Sequence, residues 1–157
     1  MGFKETKPEQ LTDNPFTLIG SDWMLITAGR AESFNTMTAS WGGLGILWER
    51  KVATCYIRPT RFTYEFAERS PHFTLSFFGE QYRKKLTYCG THSGRDSDKV
   101  KEAGLTPVKE RDFVYFDEAR LVLVWRKLYY QDISPERFLD PTIEKMYPQK
   151  EYHRMLI

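Results

Sequence analysis

The apolar residues of this chain come in short runs of strand composition, and that pattern restricts the fold more than any other feature of the sequence. Even the longest run, Leu121-Val122-Leu123-Val124-Trp125, is far short of the roughly 20 residues a membrane helix needs. Residues 22–28 have strand composition, and 29–33 read as a turn. Residues 35–41 alternate, with Met37, Ala39 and Trp41 opposite Thr36, Thr38 and Ser40. Gly42-Gly43 is expected to end that strand. Further strands are expected at 52–58, stopped by Pro59, and at 73–78, 113–116 and 119–130. The last of these is apolar on both faces, so burial on both faces is expected.

Helical spacing interrupts the strands at three places. Thr60 opens a helix to Arg69 with Phe62 and Phe66 on one face, and Ser70-Pro71 ends it. Residues 81–89 place Tyr82, Leu86 and Cys89 on one side, and residues 97–103 form a short helix closed by Gly104. Without regular β-α-β alternation, this order predicts one mainly β domain with peripheral helices, an antiparallel barrel or α+β fold. Residues 1–15 read as an N-terminal arm ending at Asn14-Pro15. Residues 132–157 read as a C-terminal extension rich in turn signals: Ser134-Pro135, Asp140-Pro141 and Tyr147-Pro148.

Composition narrows the function classes. The 23 Lys and Arg nearly balance 21 Asp and Glu and are spread along the chain, which argues against nucleic acid or a membrane surface as partner. Cys55 and Cys89 form no C-x-x-C and no zinc spacing, and read as reduced thiols of a cytoplasmic protein. His72, His92 and His153 are far apart, so no metal site is expected. The polar N-terminus is not a signal peptide; Met1-Gly2 through Thr6 fits the loose myristoylation pattern, which chance often produces. No G-x-G-x-x-G is present, and Gly42-Gly43-Leu44-Gly45 has the wrong spacing for a dinucleotide fold. Trp23, Trp48 and Trp125 read as core or interface residues, and Cys55 as a small core residue.

Three clusters can carry chemistry. In Asn35-Thr36-Met37-Thr38-Ala39-Ser40-Trp41, Thr38 and Ser40 point the same way along a strand and can donate to phosphate or hydroxyl oxygens. Alone, this segment reads as a surface strand with a polar face. In Arg58-Pro59-Thr60-Arg61-Phe62-Thr63 a strand hands over to a helix, whose N-terminus offers free N–H groups beside two guanidinium groups. That is an anion site, against the plainer reading of a capped helix with solvated arginines. In His92-Ser93-Gly94-Arg95-Asp96-Ser97-Asp98-Lys99, Gly94 permits an unusual backbone and Lys99 brings a positive charge. Alone, it is an exposed loop.

In order and wording, Asn35-x-Met37-Thr38-x-Ser40-Trp41, Arg58-Pro59-Thr60-Arg61-x-Thr63 and Ser93-Gly94-Arg95-x-x-Asp98-Lys99 resemble the flavin reductase-like family, flavoredoxins included, over about residues 20 to 110. The resemblance implies a six-stranded Greek-key split barrel and a homodimer with FMN at each subunit boundary. It implies that Thr38 and Ser40 bind the phosphate or ribityl chain, and that Arg61 and Thr63 hold the phosphate. Asn35 and Arg58 belong to the same cofactor-binding set. Backbone around Met37, Ala39, Trp41 and Cys55-Tyr56-Ile57 would line the ring, and Ser93, Gly94 and Lys99 would close the pocket. No side chain is expected to act as catalytic acid or base. FMN would take a hydride or electrons from NAD(P)H or a redox protein, and a flavoredoxin-type electron carrier or a non-enzymatic FMN-binding protein on the same barrel is the alternative. The extension carries Tyr147, Tyr152 and His153, placed to cover a site or a dimer partner.

Overall fold

A computed structural model describes residues 2–157; the Met1 of the myristoylation pattern lies outside them. Ten strands and four helices follow one another as α1 (Pro15–Gly20), β1 (Met24–Arg30), β2 (Ser33–Ala39), β3 (Gly42–Leu47), β4 (Arg50–Ile57), α2 (Phe62–Arg69), β5 (His72–Phe77), α3 (Arg83–Thr91), α4 (Lys99–Glu102), β6 (Pro107–Lys109), β7 (Val114–Phe116), β8 (Leu121–Arg126), β9 (Tyr130–Asp132) and β10 (Arg154–Leu156). Two antiparallel four-stranded sheets, ordered β2-β1-β5-β8 and β3-β4-β10-β9, form the split barrel, and β6-β7 is a separate ribbon. The mainly β class agrees with the sequence reading; the strands outnumber the six expected.

The barrel interior is filled by Met24, Ile26 and Ala28 of β1, Met37 of β2, Cys55 and Ile57 of β4, Phe73, Leu75 and Phe77 of β5, and Leu156 of β10. β1 is buried on both faces because Leu25 packs outward into a second core with Leu86 and Cys89 of α3, Val100 of α4 and Phe116. Two buried threonines of the sheet pair with each other: Thr27 and Thr36 Oγ1 lie 2.9 Å apart, and Thr36 reaches the Ile26 carbonyl at 3.1 Å.

Several boundaries differ from the sequence reading, each for a physical reason. Asn14-Pro15 does not merely end an arm; the Asn14 side chain accepts from the Phe16 N–H at 2.9 Å and starts α1. Gly42-Gly43 does not end a strand but opens β3. A Cβ on Gly42 would sit 2.7 Å from the Thr54 carbonyl oxygen, so the close approach of β3 to β4 needs a glycine there. The apolar 119–130 stretch is not one doubly buried strand. β8 covers Leu121–Arg126 at a sheet edge, with Val124 45% exposed, and β9 joins the other sheet. The C-terminal segment supplies β10, which pairs with both β4 and β9.

Candidate anion site at the start of helix α2

Three stretches that the sequence separates meet at the first turn of α2. Asn35 of β2 donates from Nδ2 to Thr63 Oγ1 at 2.7 Å. Gly94 lies so close to the same amide that a Cβ there would fall 2.1 Å from Asn35 Oδ1 and 3.1 Å from the Phe62 ring. Arg95 crosses to the Thr60 carbonyl, pairs with Glu65 and lies 4.8 Å over the Phe62 ring. No side chain caps the N-terminus of α2. The Asn35, Arg58–Thr63 and Ser93–Lys99 clusters are thus one structure, with Asn35 and Thr63 buried as its wall.

The charges there are distinctive. Lys99 is 3% exposed, and its ammonium donates to the Cys89 and His92 carbonyls at 3.0 and 3.1 Å, at the C-terminal end of α3. Burial, reinforced by repulsion from Arg61, brings its pKa down to about 8. Arg61 is half-buried, and its side chain has neither a carboxylate nor a hydrogen-bond acceptor among the described residues; burial and then Arg58 push its pKa down. A buried and a half-buried cation thus lie near enough to repel each other, and among the described residues neither has a carboxylate partner. Buried charges are ordinarily paired, so this arrangement calls for a negatively charged ligand.

Arg58 differs from the expectation that it joins this site freely. Its guanidinium pairs with Glu151, donates to the Met146 carbonyl at 2.9 Å and lies 5.0 Å over the Tyr147 ring. The C-terminal segment therefore holds Arg58. The same segment brings His153 against Trp41 and Tyr56, with ring centroids 5.1 and 6.3 Å apart. His153 Nδ1 meets the Tyr147 hydroxyl at 2.7 Å, and burial brings its pKa down to about 4, so it is neutral at physiological pH. Trp41, Tyr56, Tyr147 and His153 form a partly open aromatic surface next to Arg58.

Other expected site residues have plainer surroundings. Thr38 Oγ1 donates to the Leu86 carbonyl, while Ser40 and Ser93 stay half-buried. Met37, Cys55 and Ile57 turn their side chains into the barrel core. Cys55, Tyr56 and Ile57 pair with Leu156, Met155 and Arg154 of β10, which ties this backbone into the sheet. The Cys55 thiol is fully buried and pushed up to about 12, so no thiolate is available for redox chemistry. Among the described residues, no cluster of His, Cys, Asp and Glu could hold a metal ion, and no helix is long and apolar enough to cross a membrane.

Comparison with solved structures gives the fold its relatives. Flavoredoxin of Desulfovibrio vulgaris (Miyazaki F) is 19% identical, with 98% of this chain and 73% of that chain covered and a TM-score of 0.64. An FMN-binding protein from Thermus thermophilus is 18% identical, covering 99% and 74%, at 0.65. Nitrilotriacetate monooxygenase component B from Bacillus cereus is 13% identical, covering 99% and 78%, at 0.66. No curated protein matches. The family model for the flavin reductase like domain matches residues 16–126, a span that contains α2, the Asn35–Thr63 contact and Lys99. With β1 to β8 and the Arg61–Lys99 region inside that match, the chain belongs to the flavin reductase like domain family.

Proposed function

We propose that this chain is an FMN-binding oxidoreductase that passes a hydride or electrons through its flavin, taking them from NAD(P)H or from a redox protein. The observation that carries the reading is two cations without a carboxylate, the half-buried Arg61 at the uncapped N-terminus of α2 and the buried Lys99 at the C-terminal end of α3. The FMN phosphate carries nearly two negative charges and several acceptor oxygens, which is the chemistry these groups lack. In this reading Arg61 and Thr63 hold the phosphate, Lys99 neutralises it from behind, and Ser40 and Ser93 donate to the phosphate or ribityl chain. Thr38, committed to the Leu86 carbonyl, supports them from β2. Trp41 and Tyr56 form the ring seat.

When bound, FMN supplies the redox chemistry itself. The chain binds, orients and shields. The neutral His153, hydrogen-bonded to Tyr147, packs on the ring seat without adding a charge. Arg58, fixed by Glu151, keeps one positive charge at its border. The flavoredoxin and the FMN-binding protein among the structural relatives support the cofactor by the names they carry. Self-association as a cytoplasmic homodimer is part of the same reading. Its support is the apolar surface on edge strands β3 and β8 and the β3–β4 turn, with Ile46 72%, Trp48 54% and Val124 45% exposed.

The test is the near-ultraviolet and visible spectrum of the purified protein, before and after FMN addition and dialysis. Flavin bands retained near stoichiometric amount support the reading. Oxidation of NADH or NADPH by the loaded protein then marks a reductase, and its absence with intact reduction by a protein donor marks a carrier. No retained flavin and no measurable affinity would overturn the proposal.

A further inference from the structure

Asn35 stands where a ligand-binding residue is expected, yet both donors of its amide are already spent. It is 6% exposed, and its Nδ2 faces two oxygens, Thr63 Oγ1 at 2.7 Å and the Thr36 carbonyl at 3.4 Å. A backbone carbonyl can only accept, so the amide nitrogen, not the oxygen, is on this side. Thr63 must therefore accept from Asn35. Its own proton is then unspent: no described group accepts from Thr63 Oγ1, although Thr63 is fully buried. A buried donor without an acceptor is costly. The opposite edge of the Asn35 amide is fixed by Gly94, where even one added carbon would collide with Oδ1.

We infer that Asn35 is a positioning residue for the phosphate subsite: it acts through Thr63, holding that hydroxyl as an acceptor so that its proton is reserved for an incoming anion. The inference rests on the FMN reading above and deepens it. Asn35 itself makes no contact with the phosphate. Its carboxamide sets the direction of one hydrogen bond, and Gly94 lets the Ser93–Arg95 loop close over it. An aspartate at position 35 would keep the size and reverse the direction. It would accept the Thr63 proton and place a negative charge beside the anion.

The experiment compares equilibrium binding of FMN and of riboflavin, which lacks the phosphate, by flavin fluorescence quenching. The variants are Asn35→Ala, Asn35→Asp, Thr63→Val and the double variant Asn35→Ala/Thr63→Val. FMN affinity is expected to fall about tenfold in Asn35→Ala and further in Asn35→Asp, while the riboflavin Kd stays within about twofold. Because Asn35 works through Thr63, the double variant is expected to bind FMN no more weakly than Thr63→Val alone. Additive losses would overturn the inference by making Asn35 an independent ligand. Equal losses for FMN and riboflavin would overturn it by making Asn35 a merely structural residue. If Asn35→Ala unfolds, Asn35→Asp carries the comparison of FMN with riboflavin, and equal losses for the two ligands overturn the inference. A wild-type protein that binds FMN no better than riboflavin would instead overturn the phosphate reading itself.

Discussion

Two arginines flank helix α2 and are treated in opposite ways. Arg154 of β10 lies between the rings of Tyr64 and Tyr130, 5.0 and 4.4 Å from their centroids. Its Nε and Nη2 reach the two oxygens of Asp132 at 2.7 and 3.0 Å, and its Nη1 reaches Glu68 at 2.7 Å. Its protonated form is favoured, chiefly by the Asp132 hydrogen bonds. Arg61, at the other end of the helix, has no carboxylate, and burial disfavours its charge. The first arginine is finished and clasps β10, β9 and α2 together. The second is half-buried without a carboxylate, and burial works against its charge. The difference separates a cation satisfied inside the fold from one that the proposed function assigns to a ligand.

The largest expected effect follows from this contrast. Arg61→Ala should weaken FMN binding about a hundredfold, the scale for removing one partner of a desolvated charge pair. Its unfolding free energy should hold or rise, because no side-chain hydrogen bond or ion pair is lost and the cost of burying the charge is removed. Arg61→Lys should restore only part of the affinity, since an ammonium lacks the planar fork. Flavin titration and urea unfolding check both halves. Unchanged affinity in Arg61→Ala would erase the contrast between the two arginines.

The C-terminal segment supplies the next effect, on stability. His153 is buried neutral, with its pKa brought down from 6.5 to about 4, first by desolvation and then by Arg58. Between these values the unfolded chain binds a proton that the folded chain excludes, so stability falls as pH falls. The contribution is fully present above about pH 6.5, and roughly 2 kcal/mol of it is gone by about pH 5. Urea unfolding near neutral pH and near pH 5 should show that loss in the wild-type protein. A His153→Gln variant should show a flatter dependence. Equal slopes would place the acid sensitivity elsewhere.

How much of this was legible in the sequence depends on the range of the interaction. The strands β1, β2, β4 and β5 and the helices α2 and α3 follow from local periodicity and from Pro59 and Pro71. The strand-to-helix junction at Arg58–Thr63, on which the proposed anion site rests, was also readable. β3 escaped because glycines carry no strand signal, and their reason lies across the sheet at Thr54. β10 escaped because its three residues are held by partners nearly a hundred residues earlier in β4. The capture of Arg58 by Glu151, 93 residues away, leaves no local trace. Nor does the burial of Lys99, which a polar loop sequence would place in solvent. The Asn14-Pro15 start of α1 was readable as an N-cap followed by proline at the first helical position.

Lys99 gives a smaller effect on affinity. Its pKa of about 8 is set by burial and by Arg61. A bound phosphate would raise it, so the complex keeps a proton that the free protein loses above about pH 8. FMN affinity should therefore weaken up to about tenfold for each pH unit above 8, while riboflavin affinity should hardly move over the same interval. Titrations at about pH 7.5 and 9 check this. A Lys99→Met variant should bind FMN more weakly near neutrality and lose the difference between the two pH values. Parallel pH profiles for FMN and riboflavin would show that the Lys99 charge does not face the phosphate.

The smallest effect is expected at Arg154, for all its contacts. Glu68 and Asp132 are about half exposed, so solvent and salt weaken both pairs. The bidentate geometry and the two rings restore part of the value. Arg154→Ala should cost about 1 kcal/mol of stability, less at high salt, and leave the FMN Kd within about twofold. The second half is the sharper one. Arg154 and Arg61 are joined by a single helix of eight residues, so loosening one end could in principle reach the other. But α2 is anchored between them by Phe66 and Ala67 in the barrel core and by the Lys127 ammonium on the Ala67 and Glu68 carbonyls. That anchoring should absorb the change. A loss of FMN affinity in Arg154→Ala as large as in Arg61→Ala would mean that the helix transmits it, and that the clasp at β10 is part of the binding site.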